Sequence, residues 1–109
     1  MRDIQLTKIG VCESRVDYSV RISKELEHFF SEKQMFLEYT SSMETVPRSI
    51  LAIPFVANVL PIIWLTDSIL WIDELDRTFY DCLFRLKSAY QDLYPEAKLK
   101  GRVVVANLV

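Results

Sequence analysis

The chain has 109 residues, half of them hydrophobic, and its thirteen Lys and Arg against fifteen Asp and Glu leave a net charge of −2. This length is typical of one domain that buries a core without disulfide or metal support, and the apolar share excludes a disordered chain. The charge balance lacks the basic excess of a nucleic-acid-binding protein, so no nucleic acid is expected as a partner. Gly10 and Gly101 are the only glycines, which excludes the phosphate-binding loops GxGxxG and GxxxxGK[ST].

The first forty residues predict three strands and a short helix. Alternating polarity predicts a first strand over roughly residues 2–9, followed by a turn that includes Gly10 and residues 13–14. Strict alternation from Val16 to Ile22 predicts a second, half-buried strand that pairs with the first as an antiparallel hairpin. This half of the chain ends with a short helix capped by Ser23, a third strand near residues 34–40 and a loop over 40–47.

Residues 49–66 carry no formal charge and are bracketed by Arg48 and Asp67. Because eighteen residues are too many for one strand, the segment predicts a helix, and a helix that is apolar all round must be buried. Pro54 is compatible with a first helical turn. Pro61 lies further along, so it predicts either a kinked helix or two short helices.

A membrane is not an expected environment for this segment. A spanning helix needs about 20 apolar residues. The run supplies at most eighteen, including Asn58 and two prolines, and extension to Ile72 would bring Asp67 into the bilayer. The N-terminus lacks the apolar core of a signal peptide, and Cys12 and Cys82 lack CxxC spacing. The sequence therefore predicts a cytoplasmic protein with reduced thiols.

The C-terminal half predicts a strand, an amphipathic helix and a second strand. Residues 69–72 form the first strand, and Asp76 is the expected N-cap of the helix. The helix ends at Tyr94-Pro95. Residues 103–106 form an apolar run that is typical of a strand covered on both faces. The apolar stripe of the helix comprises Phe79, Cys82, Leu83, Leu86, Ala89, Tyr90 and Leu93.

Few residues offer chemistry. His28 has no nucleophile or orienting carboxylate nearby in sequence and is expected on an exposed helix position. Cys82 is expected to be a buried thiol, and Asn58 is expected to satisfy backbone freed by Pro61 rather than to bind a ligand. The acidic residues are interpreted as strand ends and helix caps rather than a Mg²⁺ site. No catalytic, cofactor-binding or metal residue is predicted. The acidic residues are Asp67, Asp73, Glu74 and Asp76.

Residues 48–106 carry a recognisable order of segments: Ile53-Pro54-Phe55 through Leu60-Pro61, Ile69-Leu70-Trp71-Ile72, Asp73-Glu-Leu-Asp76-Arg-Thr-Phe79, and Tyr90-Gln-Asp-Leu-Tyr94-Pro95. This order resembles the N-terminal domain of large bacterial proteins of the PP-loop ATP-pyrophosphatase (adenine nucleotide alpha hydrolase-like) group. Those proteins are similar to 7-cyano-7-deazaguanine synthases and to the ATP-dependent epimerase acting on UDP-N-acetylmuramoyl-alanyl-glutamate. Their ATP site is a Ser-Gly-Gly-x-Asp-Ser loop downstream of such a domain. Nothing in this chain matches that loop, so the resemblance implies a domain that is inactive alone.

These observations predict one α+β domain over residues 1–109, with N-terminal strands and a short helix over 1–40 and the remaining elements over 48–109. Its expected architecture is a small antiparallel or mixed sheet packed against a buried, proline-interrupted helix and one long amphipathic helix. The resemblance implies the N-terminal part of a longer protein, acting as an accessory or assembly domain of a PP-loop-type enzyme. The alternatives are a free-standing interaction or dimerisation module and a small membrane-associated protein.

The apolar segment also predicts a partner. A domain of this size has too few elements to surround a helix completely, so part of its surface is expected to be covered by other protein. That cover is either a second copy of the chain or a C-terminal catalytic domain.

Overall fold

A computed structural model describes residues 2–31 and 34–109, which form a five-stranded mixed sheet, two long α-helices and one short 3-10 helix. The predicted α+β class with a mixed sheet is therefore confirmed. The strands are β1 (Asp3–Cys12), β2 (Arg15–Ile22), β3 (Gln34–Glu38), β4 (Ile69–Leu75) and β5 (Arg102–Leu108). The helices are α1 (Arg48–Leu65), α2 (Arg77–Leu93) and the 3-10 helix Lys24–Phe29.

The sheet has the strand order β3-β2-β1-β4-β5. β1, β2 and β3 form an antiparallel meander, whereas β4 runs parallel to both β1 and β5. α1 lies between β3 and β4 in the chain, and α2 connects the parallel pair β4 and β5. This arrangement leaves β3 and β5 as the two edges of the sheet.

The N-terminal hairpin follows the predicted alternation, since Val16 and Tyr18 point into the core. The turn prediction needs one correction. Gly10 has no positive φ and pairs with Asp17, so β1 continues past it, and the turn lies at residues 13–14, where Glu13 adopts φ 54°. The side chain of Ser23 also differs from its expected role, because it accepts a hydrogen bond from Asp3 N (3.0 Å) and caps nothing.

α1 is one continuous helix, so neither two short helices nor a first-turn position for Pro54 is correct. Pro54 and Pro61 both lie inside it, and each deprives the carbonyl four residues earlier of its donor. Those carbonyls belong to Ile50 and Ala57, which are both exposed. Water therefore reaches the freed carbonyls, and this explains why the prolines are tolerated on that side of the helix.

The inner side of α1 forms the core with the sheet. The Tyr18 ring stacks on Phe55 at 5.6 Å, and its hydroxyl donates to the carbonyl of Leu51 at 2.6 Å. Burial, with a smaller contribution from Tyr39, raises the pKa of Tyr18 to about 12. Nine of the eighteen residues of α1 are buried: Ser49, Leu51, Ala52, Phe55, Val56, Val59, Leu60, Ile63 and Trp64. The helix is thus half buried rather than buried on all sides.

Two backbone hydrogen bonds from later residues satisfy carbonyls at the C-terminal end of α1. Asp67 adopts φ 54°, which lets Ser68 N donate to the carbonyl of Ile63 at 3.1 Å. Gly101 approaches from the segment before β5, and its N–H points at the carbonyl of Trp64 at 3.4 Å. A Cβ at position 101 would lie 1.8 Å from the Ile63 oxygen, so only glycine fits there.

α2 begins and ends as predicted. Asp76 caps it by accepting a hydrogen bond from Phe79 N at 2.9 Å, and the helix stops before Tyr94. Two related expectations are wrong: no residue of α2 is buried, and the strand at residues 103–106 is not covered on both faces. β5 is an outermost strand with only β4 beside it, so fewer elements surround its side chains than surround those of a central strand. α2 packs on the core through only part of its circumference, with Phe79, Leu83 and Tyr90 partly buried.

Candidate functional site

His28 occupies an exposed position in the 3-10 helix, as the sequence predicted. Its ring lies 4.1 Å from that of the neighbouring Phe29, with an interplanar angle of 36°. Within the part of the chain described here, the structure pairs neither a nucleophile nor an orienting carboxylate with His28. Its acidic neighbours Glu25 and Glu27 make interactions of their own. Nothing at this position indicates acid–base chemistry.

Both cysteines are free and exposed. The expectation of a buried Cys82 is therefore wrong. Cys82 does lie on the apolar stripe of α2, but the fold covers only the other half of that stripe, and covers it only in part. Cys12 lies at the end of β1, where it pairs with Arg15 of β2.

The acidic residues do not converge. Asp76 caps α2, as predicted, whereas Asp67 lies in the turn after α1 and Asp73 and Glu74 lie in the last part of β4. Within residues 2–31 and 34–109, no group of three or more His, Cys, Asp or Glu side chains could hold a metal ion.

Asn58 does not play the predicted role. Its side-chain amide donates to the carbonyl of Pro54 at 2.7 Å, one turn before it, and not to the carbonyl of Ala57 that Pro61 leaves free. The geometry explains the difference, because an asparagine in a helix reaches back toward the carbonyl of residue i−4. Asn58 is exposed, so its bond adds a second donor to a carbonyl already on the helix surface.

A polar cleft lies where β1 and β4 separate. The two strands pair only from Asp3–Gln5 to Ile69–Trp71, and β1 shifts register between Leu6 and Lys8. The cleft beyond that point has a volume of about 320 Å³. Its polar lining consists of Thr7, Lys8, Arg48, Asp73 and Glu74.

The location of this cleft, at the carboxyl ends of parallel strands, is where open α/β sheets commonly bind ligands. Two of the lining groups are already engaged. The guanidinium of Arg48 donates to the carbonyl of Ile9, and the hydroxyl of Thr7 donates to the carbonyl of Ser19 at 2.9 Å. The lining contains no histidine, cysteine or serine.

The outward side of α1 is apolar. We call this surface the outer stripe, and it consists of Ile50, Pro54, Ala57, Asn58, Pro61 and Leu65. Ile50 is 40% exposed and Leu65 is 54% exposed. The stripe carries no charge along the whole helix between Arg48 and Asp67. A solvent-facing helix side normally carries charged or polar residues, so this composition is typical of a surface that other protein covers.

α2 exposes a second apolar surface. We call it the α2 flank, and it consists of Cys82, Leu86, Ala89 and Leu93. Leu86 is 45% exposed and Leu93 is 73% exposed, while the other side of the helix packs on the core through Phe79, Leu83 and Tyr90.

Among the residues that the structure describes, α1 is the one helix whose length and composition would allow it to cross a membrane. Half of it is buried inside the fold, as in the core helix of a soluble protein. The segment is therefore weak evidence for a membrane, and the cytoplasmic location stays a prediction.

Comparison of the chain with protein-family models, with curated proteins and with solved structures finds no match.

Proposed function

We propose that this chain is a non-catalytic assembly domain and that the outer stripe of α1 is its contact surface for other protein. The observation that carries the proposal is the uncharged outward side of an eighteen-residue helix. Apolar surface buried by a partner contributes roughly 25 cal/mol per Å² of favourable free energy. Exposed side chains such as Leu65 supply that area.

The proposed partner follows from the resemblance over residues 48–106. It is the catalytic part of a PP-loop-type ATP-dependent enzyme, placed C-terminal to this domain. In such a protein the domain supports assembly or closes over the substrate, and the domain alone is inactive. The cytoplasm is the proposed location.

The second candidate is a free-standing interaction or dimerisation module. The exposed α2 flank favours it, because this surface is separate from the outer stripe of α1 and offers a contact of its own. The reading frame after Val109 separates the two candidates. A Ser-Gly-Gly-x-Asp-Ser sequence downstream supports the attached enzyme, and a stop codon directly after Val109 removes that version and leaves the module.

The assembly proposal is tested on the purified chain by light scattering and by binding of a hydrophobic dye. We expect either association or dye binding, and we expect Leu65→Glu to reduce the signal because it places a charge in the outer stripe. Phe29→Glu is the matched control, since Phe29 is 46% exposed on the 3-10 helix, outside the stripe. A monomer that binds no dye would overturn the proposal.

A further inference from the structure

We propose that the α2 flank is a homodimer interface, in which α2 packs antiparallel against α2 of a second copy. The inference rests on the proposed assembly function and names a partner for the second apolar surface. Cys82, Leu86, Ala89 and Leu93 follow one another at intervals of four, three and four residues. This is the spacing of the a and d positions of a coiled coil, which form a seam between two helices. From Cys82 to Leu93 the seam is about 16 Å long, at 1.5 Å per residue.

The sizes of the seam residues favour an antiparallel pair. A twofold axis between Lys87 and Ser88 places Leu86 opposite the partner's Ala89 and Cys82 opposite the partner's Leu93. Each large side chain then meets a small one, which lets the two surfaces interdigitate without a void. A parallel pair would instead place Leu86 opposite the partner's Leu86 and Ala89 opposite the partner's Ala89, leaving a crowded level next to an empty one.

The charges beside the seam favour the same arrangement. Arg85 and Asp92 are seven residues apart, so they lie on the same side of α2, and both are exposed. The twofold axis keeps this side next to the same side of the partner. It brings Arg85 to within about 3 Å, along the helix axis, of the level of the partner's Asp92.

Two equivalent ion pairs therefore form across the dimer. Neither Arg85 nor Asp92 forms an ion pair elsewhere in residues 2–31 and 34–109. In a parallel pair the twofold axis would run along the helices and put the two Arg85–Asp92 sides on opposite flanks of the seam, so neither ion pair would form. The charge pattern thus selects a second copy of this chain, in the antiparallel orientation, as the occupant of the flank.

The interface is small. Stable complexes bury about 800 Å² per partner, and one seam of four residues offers less than that. We therefore expect a dimer that dissociates on dilution. Its formation is measured by sedimentation over a range of concentrations, using the full chain with Cys12→Ser to remove the other thiol.

Charge exchange tests the orientation. Arg85→Asp should weaken dimerisation at least tenfold, because it places two acidic side chains together at each pair. Arg85→Asp combined with Asp92→Arg should restore it. Lys98→Asp is the control for the same change of charge at an exposed position outside α2.

A covalent trap gives an independent result. Leu93→Cys places a thiol opposite the partner's Cys82, so mild oxidation with diamide should produce a disulfide-linked dimer. Residues 82 and 93 of one helix are about 16 Å apart along the axis, too far for a bond within one chain. A parallel dimer would instead cross-link Cys82 to the partner's Cys82 without any substitution, and that result would overturn the proposed orientation.

The outcomes separate this inference from the assembly function. A dimer that Leu86→Glu and the charge variants leave intact, but that Leu65→Glu dissociates, refutes the α2 interface and retains the assembly function. A monomer that binds dye through the outer stripe likewise refutes the α2 interface and retains the assembly function. A monomer that binds no dye refutes both.

Discussion

The close approach of Gly101 to the end of α1 gives the sharpest prediction of stability. In Gly101→Ala the new Cβ would lie 1.8 Å from the oxygen and 2.4 Å from the carbon of the Ile63 carbonyl, and 2.9 Å from Trp64 N. A carbon–oxygen contact needs roughly 3.3 Å, so the segment before β5 must move by about 1.5 Å. All three neighbouring atoms are backbone, so no change of rotamer relieves the clash.

The magnitude follows from two effects. Overpacking of this kind costs about 1–3 kcal/mol, and loss of the hydrogen bond from Gly101 N to the Trp64 carbonyl adds about 1 kcal/mol. The lower entropy of the unfolded alanine chain offsets about 0.4–1 kcal/mol. We therefore expect the free energy of unfolding to fall by roughly 2–3 kcal/mol, with a fall in Tm of about 10–20 °C for a domain of this size.

The assay is urea unfolding followed by tryptophan fluorescence, with linear extrapolation to water. Gly10→Ala is the matched control, because a Cβ at Gly10 meets nothing within 4 Å and its φ is not positive. The control should match the wild type or gain up to about 1 kcal/mol. If Gly101→Ala unfolds within about 0.5 kcal/mol of the control, the packing of this segment against α1 is wrong.

Three further substitutions test the buried hydroxyl of Tyr18, the N-cap of α2 and the side-chain amide of Asn58 in α1. Tyr18→Phe leaves the Leu51 carbonyl without its side-chain donor and should cost about 1–2 kcal/mol. Because the folded pKa of Tyr18 is about 12 and the unfolded value is 10.0, the contribution of the neutral hydroxyl to stability should be lost as the pH rises from 10 to 12, and this decline should be absent in Tyr18→Phe. Stability that stays level over that range in the wild type would contradict the burial of the hydroxyl. Asp76→Ala should cost about 1 kcal/mol in thermal unfolding, and the exposed Asp81→Ala should change little; equal effects would refute the cap. Asn58→Ala should be within about 0.5 kcal/mol of the wild type, since its bond is exposed, and a larger loss would show that the amide supports the helix after all.

Several features followed from local sequence alone. The alternation from Val16 to Ile22 depends on which side chains face the core of a pleated strand, and the strand formed as predicted. Asp76 and Tyr94-Pro95 defined the ends of α2 because capping and the restriction before proline act within a few residues. The exposed helical position of His28 likewise followed from its immediate neighbours.

The errors concern residues whose environment depends on distant parts of the chain. Pro61 predicted either a kinked helix or two short helices, and α1 is one continuous helix because the carbonyls that its prolines deprive of donors belong to exposed residues. Asn58 lies on that same side and bonds to the carbonyl of Pro54, where helix geometry directs it. Neither outcome is visible until the sheet determines which side of α1 faces inward.

The sequence by itself determined the kinds and order of the elements, the apolar character of residues 49–66 and the wide stripe of α2, because these depend on short-range periodicity. Only the tertiary structure decided that β5 is an edge strand and that half of the α2 stripe, including Cys82, remains exposed. Periodicity identifies which side chains avoid water, but the number of surrounding elements determines how many of them a domain of this size can bury. The outer stripe of α1 and the α2 flank are the apolar surfaces left after that limit is reached.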